Sequence, residues 1–384
     1  MVKRSALKTV GAVCLCAAMA PLSTSAFAVG DVLETPAMET QLAAQSLLLD
    51  IARAGERLVA VGERGHIIYS DDAGDNWVQA QVPVQVTLTS VTFPSENMGW
   101  AVGHSGAILH SADAGQTWDL QFDGFEGSEL TIEFLEETLA DLEARIEETE
   151  DEDERADLEW KLEELEFTLD DAMHDAEAGP WQPLLDVWFE NNDHGIAVGS
   201  YGQIFRTKDG GETWENRAGS MQNPDRFHLN GIAEVHGGTL FIAAESGLVF
   251  RSTNKGESWE VVETPYHGSY FGVVGTGRTN EVLAFGLRGN IFRSENLGRD
   301  WEQIQTDANR TINSGHTAGG GEVALVANDG VVLTSSDGGK SFRTHTRASR
   351  HSYVGVLVLS DAGLVLVGER GALRTDARGR DFLL

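Results

Sequence analysis

The chain has 384 residues, a formal charge of −32, 43 glycines, 8 prolines and 2 cysteines. So acidic a composition lacks the basic footprint that nucleic-acid binding requires. Abundant glycine with scarce proline points to many tight turns rather than to a disordered chain.

The first 28 residues read as a secretory leader. Lys3, Arg4 and Lys8 form a basic start, 10–22 is small and apolar, and Ala26-Phe27-Ala28 is a small-x-small cleavage pattern. The apolar run is too short to span a bilayer, and no second run of about 18 apolar residues follows it. Cys14 and Cys16 both lie in this segment. They follow Val13 and Leu15, not the small residue that a lipoprotein cleavage site wants. The mature chain is therefore expected to be exported, soluble and free of disulfides. Residues 29–45 form an N-terminal segment before the first repeat.

From residue 46 the chain repeats. VGERGHIIYSDDAGDNW (61–77) and VGHSGAILHSADAGQTW (102–118) align residue for residue. Each is preceded by an apolar run, at 47–51 and 88–93. Short Val/Ile/Leu/Phe runs broken by Gly, Asn and Asp are strand-and-turn chemistry. Ser70, Asp72 and Trp77 of the first copy correspond to Ser111, Asp113 and Trp118 of the second. Their plain reading is structural: hydroxyl and carboxylate cap backbone amides in the turn, and the ring packs on the sheet.

Residues 126–178 interrupt the pattern with 23 acidic and 3 basic residues, a net charge of −20. Leu135, Leu139, Leu142 and Ile146 step by 4, 3 and 4, and Leu158, Leu162, Leu165 and Leu169 repeat those steps. This predicts two amphipathic helices joined by a polar link at 150–155, antiparallel and packed stripe to stripe. Two readings stand side by side. The pair is a solvated decoration, or it is an arm or coiled-coil element that meets a basic partner. No stretch has the DxDxDG spacing of a calcium loop.

Five further copies follow: VGSYGQIFRTKDGGETW (198–214), AESGLVFRSTNKGESW (244–259), FGLRGNIFRSENLGRDW (285–301), ANDGVVLTSSDGGKSF (327–342) and VGERGALRTDARGRDF (367–382). Thr207, Asp209 and Trp214 match the earlier turns, and Trp259, Trp301, Phe342 and Phe382 continue the series of aromatics. The aromatics are spaced 41, 96, 45, 42, 41 and 40 residues apart, so one gap contains the insertion. Asn254, Asn296 and Ala377 replace the acid in three copies, which a fold element tolerates and a catalytic acid does not. Opening strands are expected at 184–189, 230–234, 271–275, 311–314 and 353–359. Seven units of four short strands predict an all-β, seven-bladed β-propeller over 46–384, with the antiparallel α-helical hairpin at 126–178 inserted between blades 2 and 3. The last copy leaves only 382–384 for an outer strand, and 29–36 is a candidate to complete that blade.

Strand order places the turn between the second and third strands of every blade on the face where the hairpin rises. Those turns carry Glu63-Arg64, His104-Ser105, Ser200-Tyr201, Glu245-Ser246, Leu287-Arg288, Asn328-Asp329 and Glu369-Arg370. Blades 1 and 7 become neighbours on closure, which sets Arg64 beside Arg370 with Arg288 two blades away. Arginine offers a planar fork for carboxylate or carbonyl oxygens. One reading makes Arg64, Arg288 and Arg370, with Glu63, Glu369, Tyr201 and His104 around them, a partner-binding rim for a carboxylate-bearing peptide segment. The other pairs Glu63 and Glu369 with the arginines as surface ion pairs of little energetic weight.

The S-x-D-x-G-x-T-W turns resemble the BNR or Asp-box repeats of sialidases, other glycoside hydrolases and sortilin-like receptors. Exported repeats of the form VGxxGxIxxSxDxGxTW, seven in number, look like the photosystem II stability/assembly factor propellers and their bacterial relatives. The resemblance covers residues 46–384 except the hairpin. It implies a non-enzymatic protein with an arginine-bearing face that handles a membrane protein or its precursor, as an assembly, stability or accessory factor for an envelope complex. The export signal serves a periplasm and a thylakoid lumen alike, and the acidic composition leans toward a periplasm, with the lumen expected in a photosynthetic host. The hairpin and the acidity depart from the photosynthetic pattern and favour a transporter or other envelope complex. The alternative is a sialidase-like glycoside hydrolase or glycan-binding module, with Tyr201 and Glu245 of the next blade as its candidate pair. No cofactor is called for. No metal site is expected either, since the 11 histidines are scattered without HExxH or paired ligand spacing.

Overall fold

The computed structural model describes residues 31–235, 237–360 and 363–382, so the leader read over 1–28 lies outside the described residues. Seven antiparallel sheets follow one another along the chain. Their opening strands are Leu48–Ala54, Leu88–Thr92, Leu184–Phe189, Leu229–Val235, Tyr270–Gly275, Ile312–Gly319 and Tyr353–Val358. Six sheets have four strands in sequence order, and the seventh has three among the described residues. In blade 1, Ile51 faces Ala60, Ala60 faces Ile68, and Ile68 faces Gln79.

The second strand of each blade explains the ring. Gly99–Gly103, Gly195–Gly199, Val282–Gly286 and Leu364–Gly368 are buried at every position. A strand buried on both faces needs a sheet on either side, and here each neighbouring blade supplies one. The apolar core accordingly falls into seven clusters, one per blade junction. The junction of blades 7 and 1 joins Leu357, Val365 and Val367 to Ile51, Leu58 and Ile68, and this closes the ring without a shared sheet. The other six junctions are built the same way.

Two sets of polar contacts tie the blades together. At the inner rim a bulge at the second residue of most opening strands interrupts the ladder, and backbone groups there bond side chains of the preceding blade. Thr89 Oγ1, Asn230 Nδ2 and Asn313 Nδ2 donate to the carbonyls of Leu184, Tyr270 and Tyr353 at 2.7–2.8 Å. Asp50 and Asp186 accept the backbone N–H of Val91 and Ile232 at 2.9 and 2.8 Å. At the opposite end a side chain from each blade, on or next to its second, third or outer strand, reaches the Asp-box turn of the following blade. Arg57, Gln121, Arg251, Arg293 and Arg347 donate to the carbonyls of Ala114, Gly210, Leu297, Gly338 and Gly379. Arg206 pairs with Glu257 at 2.7 Å, and Arg374 with Asp75 at 2.8 Å across the closure.

Six of the Asp-box turns share one hydrogen-bond scheme. In blade 1, Ser70 Oγ accepts the Gly74 N–H and donates to Asp72, and Asp72 accepts the Asn76 N–H. In blades 1 and 2 the ring adds a bond, Trp77 and Trp118 Nε1 donating to the carbonyls of Gly74 and Gly115. The bonds to Asp72 pull its carboxyl down to about 2, the side-chain amide of Asn76 contributing most. Asn254 and Asn296 accept the equivalent N–H of Ser258 and Asp300, so the amide replaces the carboxylate without loss of the cap. In blade 7 the neighbouring Asp376 accepts from the Arg378 and Arg380 N–H in place of Ala377.

The segment after residue 31 does not complete the last blade. Val32 O accepts the Gln85 N–H at 2.8 Å and Ala37 N–H donates to Val82 O at 3.0 Å, so this segment lines the outside of blade 1. The outer strand there, Val78–Gln79, is only two residues long. The alternating Ala80, Val82, Val84 and Val86 beyond it are buried and leave backbone groups that Val32 and Ala37 satisfy. Leu33 joins the core beneath. What touches blade 7 is the turn Ala43–Gln45, whose Ala44 carbonyl would lie 1.8 Å from a Cβ at Gly371. The same tightness recurs at Gly65, Gly247 and Gly289, all at positive φ, and explains the glycine that ends every rim turn.

The insertion forms helix α1, Gly124–Glu148, and helix α2, Glu152–Ala178. Asp123 and Asp151 cap them, each accepting two backbone N–H groups. The polar link expected at 150–155 is shorter, since the Asp151 cap starts α2 at once. Leu135, Leu142 and Leu158 are buried between the helices. The root is fixed to the ring: Asn216 Nδ2 donates to Thr131 Oγ1 at 3.0 Å, and the Phe134 ring lies against Gly219.

Candidate binding face

The rim turns are built alike. In six blades a single 3-10 turn holds its middle residue in the left-handed region: Arg64, Ser105, Tyr201, Ser246, Arg288 and Asp329 have φ between 53° and 60°. The strain is therefore a feature of the repeat rather than of one special residue. It turns the middle side chain outward. Arg64, Arg288 and Arg370 are exposed and form no ion pair among the described residues.

The acids beside them have other partners or none. Glu63 Oε1 accepts the backbone N–H of Leu47 at 3.1 Å, just ahead of the inner strand. Glu245 does the equivalent job in blade 4, accepting the His228 N–H at 2.9 Å. Glu369 is exposed and makes no ion pair among the described residues. The reading in which Glu63 neutralises its neighbouring arginine is thus corrected by geometry, because the carboxylate is spent on the backbone.

Two more arginines stand on this face that the turn pattern did not flag. Arg350 has φ 57° and its Cα lies 3.1 Å from a Cβ built on Gly330, so it sits beside the rim turn of blade 6. Arg226 lies similarly beside Gly202 of blade 3, at φ 51°. Both come from the links between blades. The signal for Arg350 was the unparsed stretch THTRASRHS at 344–352, basic in an acidic chain. Arg310, by contrast, is paired with Asp329. Blades 5, 6, 7 and 1 therefore carry Arg288, Arg350, Arg370 and Arg64 in an unbroken arc.

Tyr201 and His104 do not join that arc. Both sit at the hairpin root on blades 2 and 3. The Tyr201 ring meets Trp181 edge-on at 5.3 Å and His228 at 4.9 Å. His228 Nδ1 lies 3.1 Å from Glu245, so a histidine stands between Tyr201 and that acid. A cavity of about 330 Å³ opens here between Phe134, Leu165, Tyr201 and Met221.

A second cavity, of about 470 Å³, lies among the opening strands. There Ser90 Oγ is 2.9 Å from Asp50 and 2.6 Å from Asp186. One hydroxyl donates one proton, so the second contact requires a proton on an acid. Burial, helped by the charge of Asp186, pushes the Asp50 carboxyl up to about 7, and burial raises Asp186 as well. Each carboxylate is also engaged by two backbone N–H groups, so the cluster reads as a staple between blades.

The fold and this end define the class: a closed seven-bladed propeller with Asp-box turns, an arginine-lined rim and an inserted acidic hairpin. Within that class, the family described as Photosynthesis system II assembly factor YCF48 matches residues 32–144 and 174–378, and the chain belongs to it. The unmatched stretch between the two segments is the distal part of the hairpin. A relative named Photosystem II assembly lipoprotein Ycf48, from Synechococcus sp. (strain CC9902), is 26 % identical over 52 % of this chain and 62 % of its own length. A solved structure described as YCF48 bound to D1 peptide superposes with a TM-score of 0.60 at 17 % identity, over 89 % of this chain and 99 % of that one. The structure of YCF48 from Cyanidioschyzon merolae gives the same TM-score at 13 % identity, over 89 % and 98 %.

Proposed function

We propose that this chain is an exported, non-enzymatic assembly or accessory factor that holds a segment of a membrane protein or its precursor on the arginine arc. The observation that carries the reading is the arc itself. Four arginines on adjoining blades project from one end of a chain of charge −32, and none has an ion-pair partner among the described residues. Unpaired guanidinium groups on a rigid ring suit the carboxylate and carbonyl oxygens of a peptide, a free chain end above all. Family membership and the relative solved with a D1 peptide support a peptide ligand. The organisation that goes with it is a leader over 1–28 and a propeller over 46–384 interrupted at 126–178. Export rests on the leader pattern and on relatives named as lipoproteins, and the compartment we favour is the periplasm, or the lumen in a photosynthetic host. A glycosidase reading finds little support, since Glu245 is engaged by His228 rather than by Tyr201.

The test is fluorescence anisotropy with peptides ending in a free carboxylate and with their C-terminal amides. The mature protein should prefer the free carboxylate, and the triple variant Arg64→Ala/Arg288→Ala/Arg370→Ala should lose roughly a hundredfold in affinity. Equal binding by both proteins would remove the arc from the account.

A further inference from the structure

The hairpin carries a second surface, on different blades and independent of the arginine-arc reading. Trp160 and Phe167 on α2 keep 63 % and 66 % of their surface exposed, the largest values among the exposed apolar side chains. Seven residues are two helical turns, so the rings stand about 10 Å apart on one face. The stripe of Leu158, Leu162, Leu165 and Leu169 packs toward α1, and Trp160 and Phe167 fall on the opposite side of the helix. Glu163 and Glu164 lie between the two rings, and Asp157 and Asp171 lie one turn beyond them at either end. All four are exposed.

Charge decides what this face fits. Among the described residues none of the hairpin carboxylates is in an ion pair, although the segment carries 23 acids against 3 bases. Like charges this dense repel one another along and between the helices, a cost that a partner of opposite sign removes. A second copy of the chain would bring another −20 hairpin against the first and is disfavoured by the same term. Anionic lipid head groups are repelled likewise. An apolar pair at heptad spacing with acids on both flanks has the pattern of one half of a helix–helix interface, whose other half is apolar at the same spacing and basic at its edges. The family match omits residues 145–173, so this face belongs to the part of the chain that the shared propeller does not explain.

We propose that the outer face of α2 docks a basic amphipathic helix of another protein, with Trp160 and Phe167 as apolar anchors and the flanking carboxylates pairing with its Lys or Arg. The test uses the mature protein and three probes: a synthetic Lys/Leu amphipathic helical peptide, a peptide of the same composition with the pattern scrambled, and phosphatidylglycerol vesicles. The Lys/Leu peptide should bind at least about tenfold more tightly than the scrambled one. Trp160→Ala/Phe167→Ala should abolish that preference, and Trp160→Phe should restore most of it in the presence of Phe167. Both sites are solvent-exposed, and circular dichroism checks that the helices persist in each variant. Equal binding of the two peptides, or an unchanged preference in the double variant, would reduce the face to a plain charge sponge and overturn the proposal. Vesicle binding that depends on the two aromatics would overturn it in favour of a membrane. A dimer seen by sedimentation velocity and lost in the double variant would overturn it in favour of self-association.

Discussion

The two ends of this ring use the same residue for opposite purposes. At the Asp-box end, Arg57, Arg206, Arg251, Arg293, Arg347 and Arg374 each find an oxygen on the next blade. Arg293 is the extreme case, its side chain 2 % exposed and its guanidinium shared between Glu281, Glu295 and Gly338 O. At the rim end, Arg64, Arg288, Arg350 and Arg370 have no ion-pair partner among the described residues. The Asp-box turn offers free carbonyls to the blade before it, whereas at the rim Glu63 and Glu245 cap the backbone ahead of the inner strands and leave the neighbouring arginines unpaired. An arginine that the chain satisfies is part of the fold, and one that it leaves unsatisfied is available to a ligand.

That contrast breaks most visibly under substitution. Arg293→Ala leaves the carboxylate of Glu281, 13 % exposed, without its ion pair and should lower stability by about 3–5 kcal/mol in chemical denaturation. Arg288→Ala should change stability by no more than about 0.5 kcal/mol. If both cost the same, the division between the two ends fails. The converse applies to binding: Arg350→Ala should weaken the carboxylate peptide roughly tenfold while leaving the denaturation midpoint in place. An intermediate effect is expected in the centre of the ring. Ser90→Ala removes the hydroxyl between Asp50 and Asp186 and should cost about 1–3 kcal/mol. Because burial raises Asp50 from its usual 3.8 to about 7, its protonated form favours the fold. That contribution is complete below about pH 4 and is lost as pH rises through 7, so a melting-temperature profile should decline over this window, and Asp50→Ser should flatten it. The smallest effect concerns the hairpin. Raising NaCl to about 1 M shortens the Debye length to about 3 Å and should modestly raise the helical signal of the protein, while weakening the peptide contact proposed at the arc.

Much of this architecture was legible in the chain because it is local and periodic. Aromatics about 41 residues apart placed every blade, the opening strands fell within three residues of their observed bounds except in blade 6, whose opening strand runs on to Gly319, and two leucine stripes gave the helices. What escaped was non-local. The arginines of the third strands, Arg206, Arg251 and Arg293, look like any solvent-facing strand residue, and only the neighbour in the next blade shows that each is a tie. The N-terminal segment was a candidate to complete the last blade, where the outer strand is short. It bonds instead to Val82 and Gln85, just beyond the equally short Val78–Gln79 strand of blade 1, and the alternation AQVPVQV at 80–86 is the sign in the sequence that a further strand-like stretch needs backbone partners. Arg350 and Arg226 reside in links that vary between copies, so the repeated turns point only to Arg64, Arg288 and Arg370.

On the function proposed above, the arginine end, and not the Asp-box end, meets a segment of a membrane protein. Site-specific photo-crosslinking tests it directly, with the reactive group at Glu369 beside the arc and, as a control, at Glu212 in an exposed Asp-box turn, in intact envelopes of the host. The account predicts a discrete adduct with an integral membrane protein from position 369 and none from position 212. Adducts from position 212 alone would contradict it.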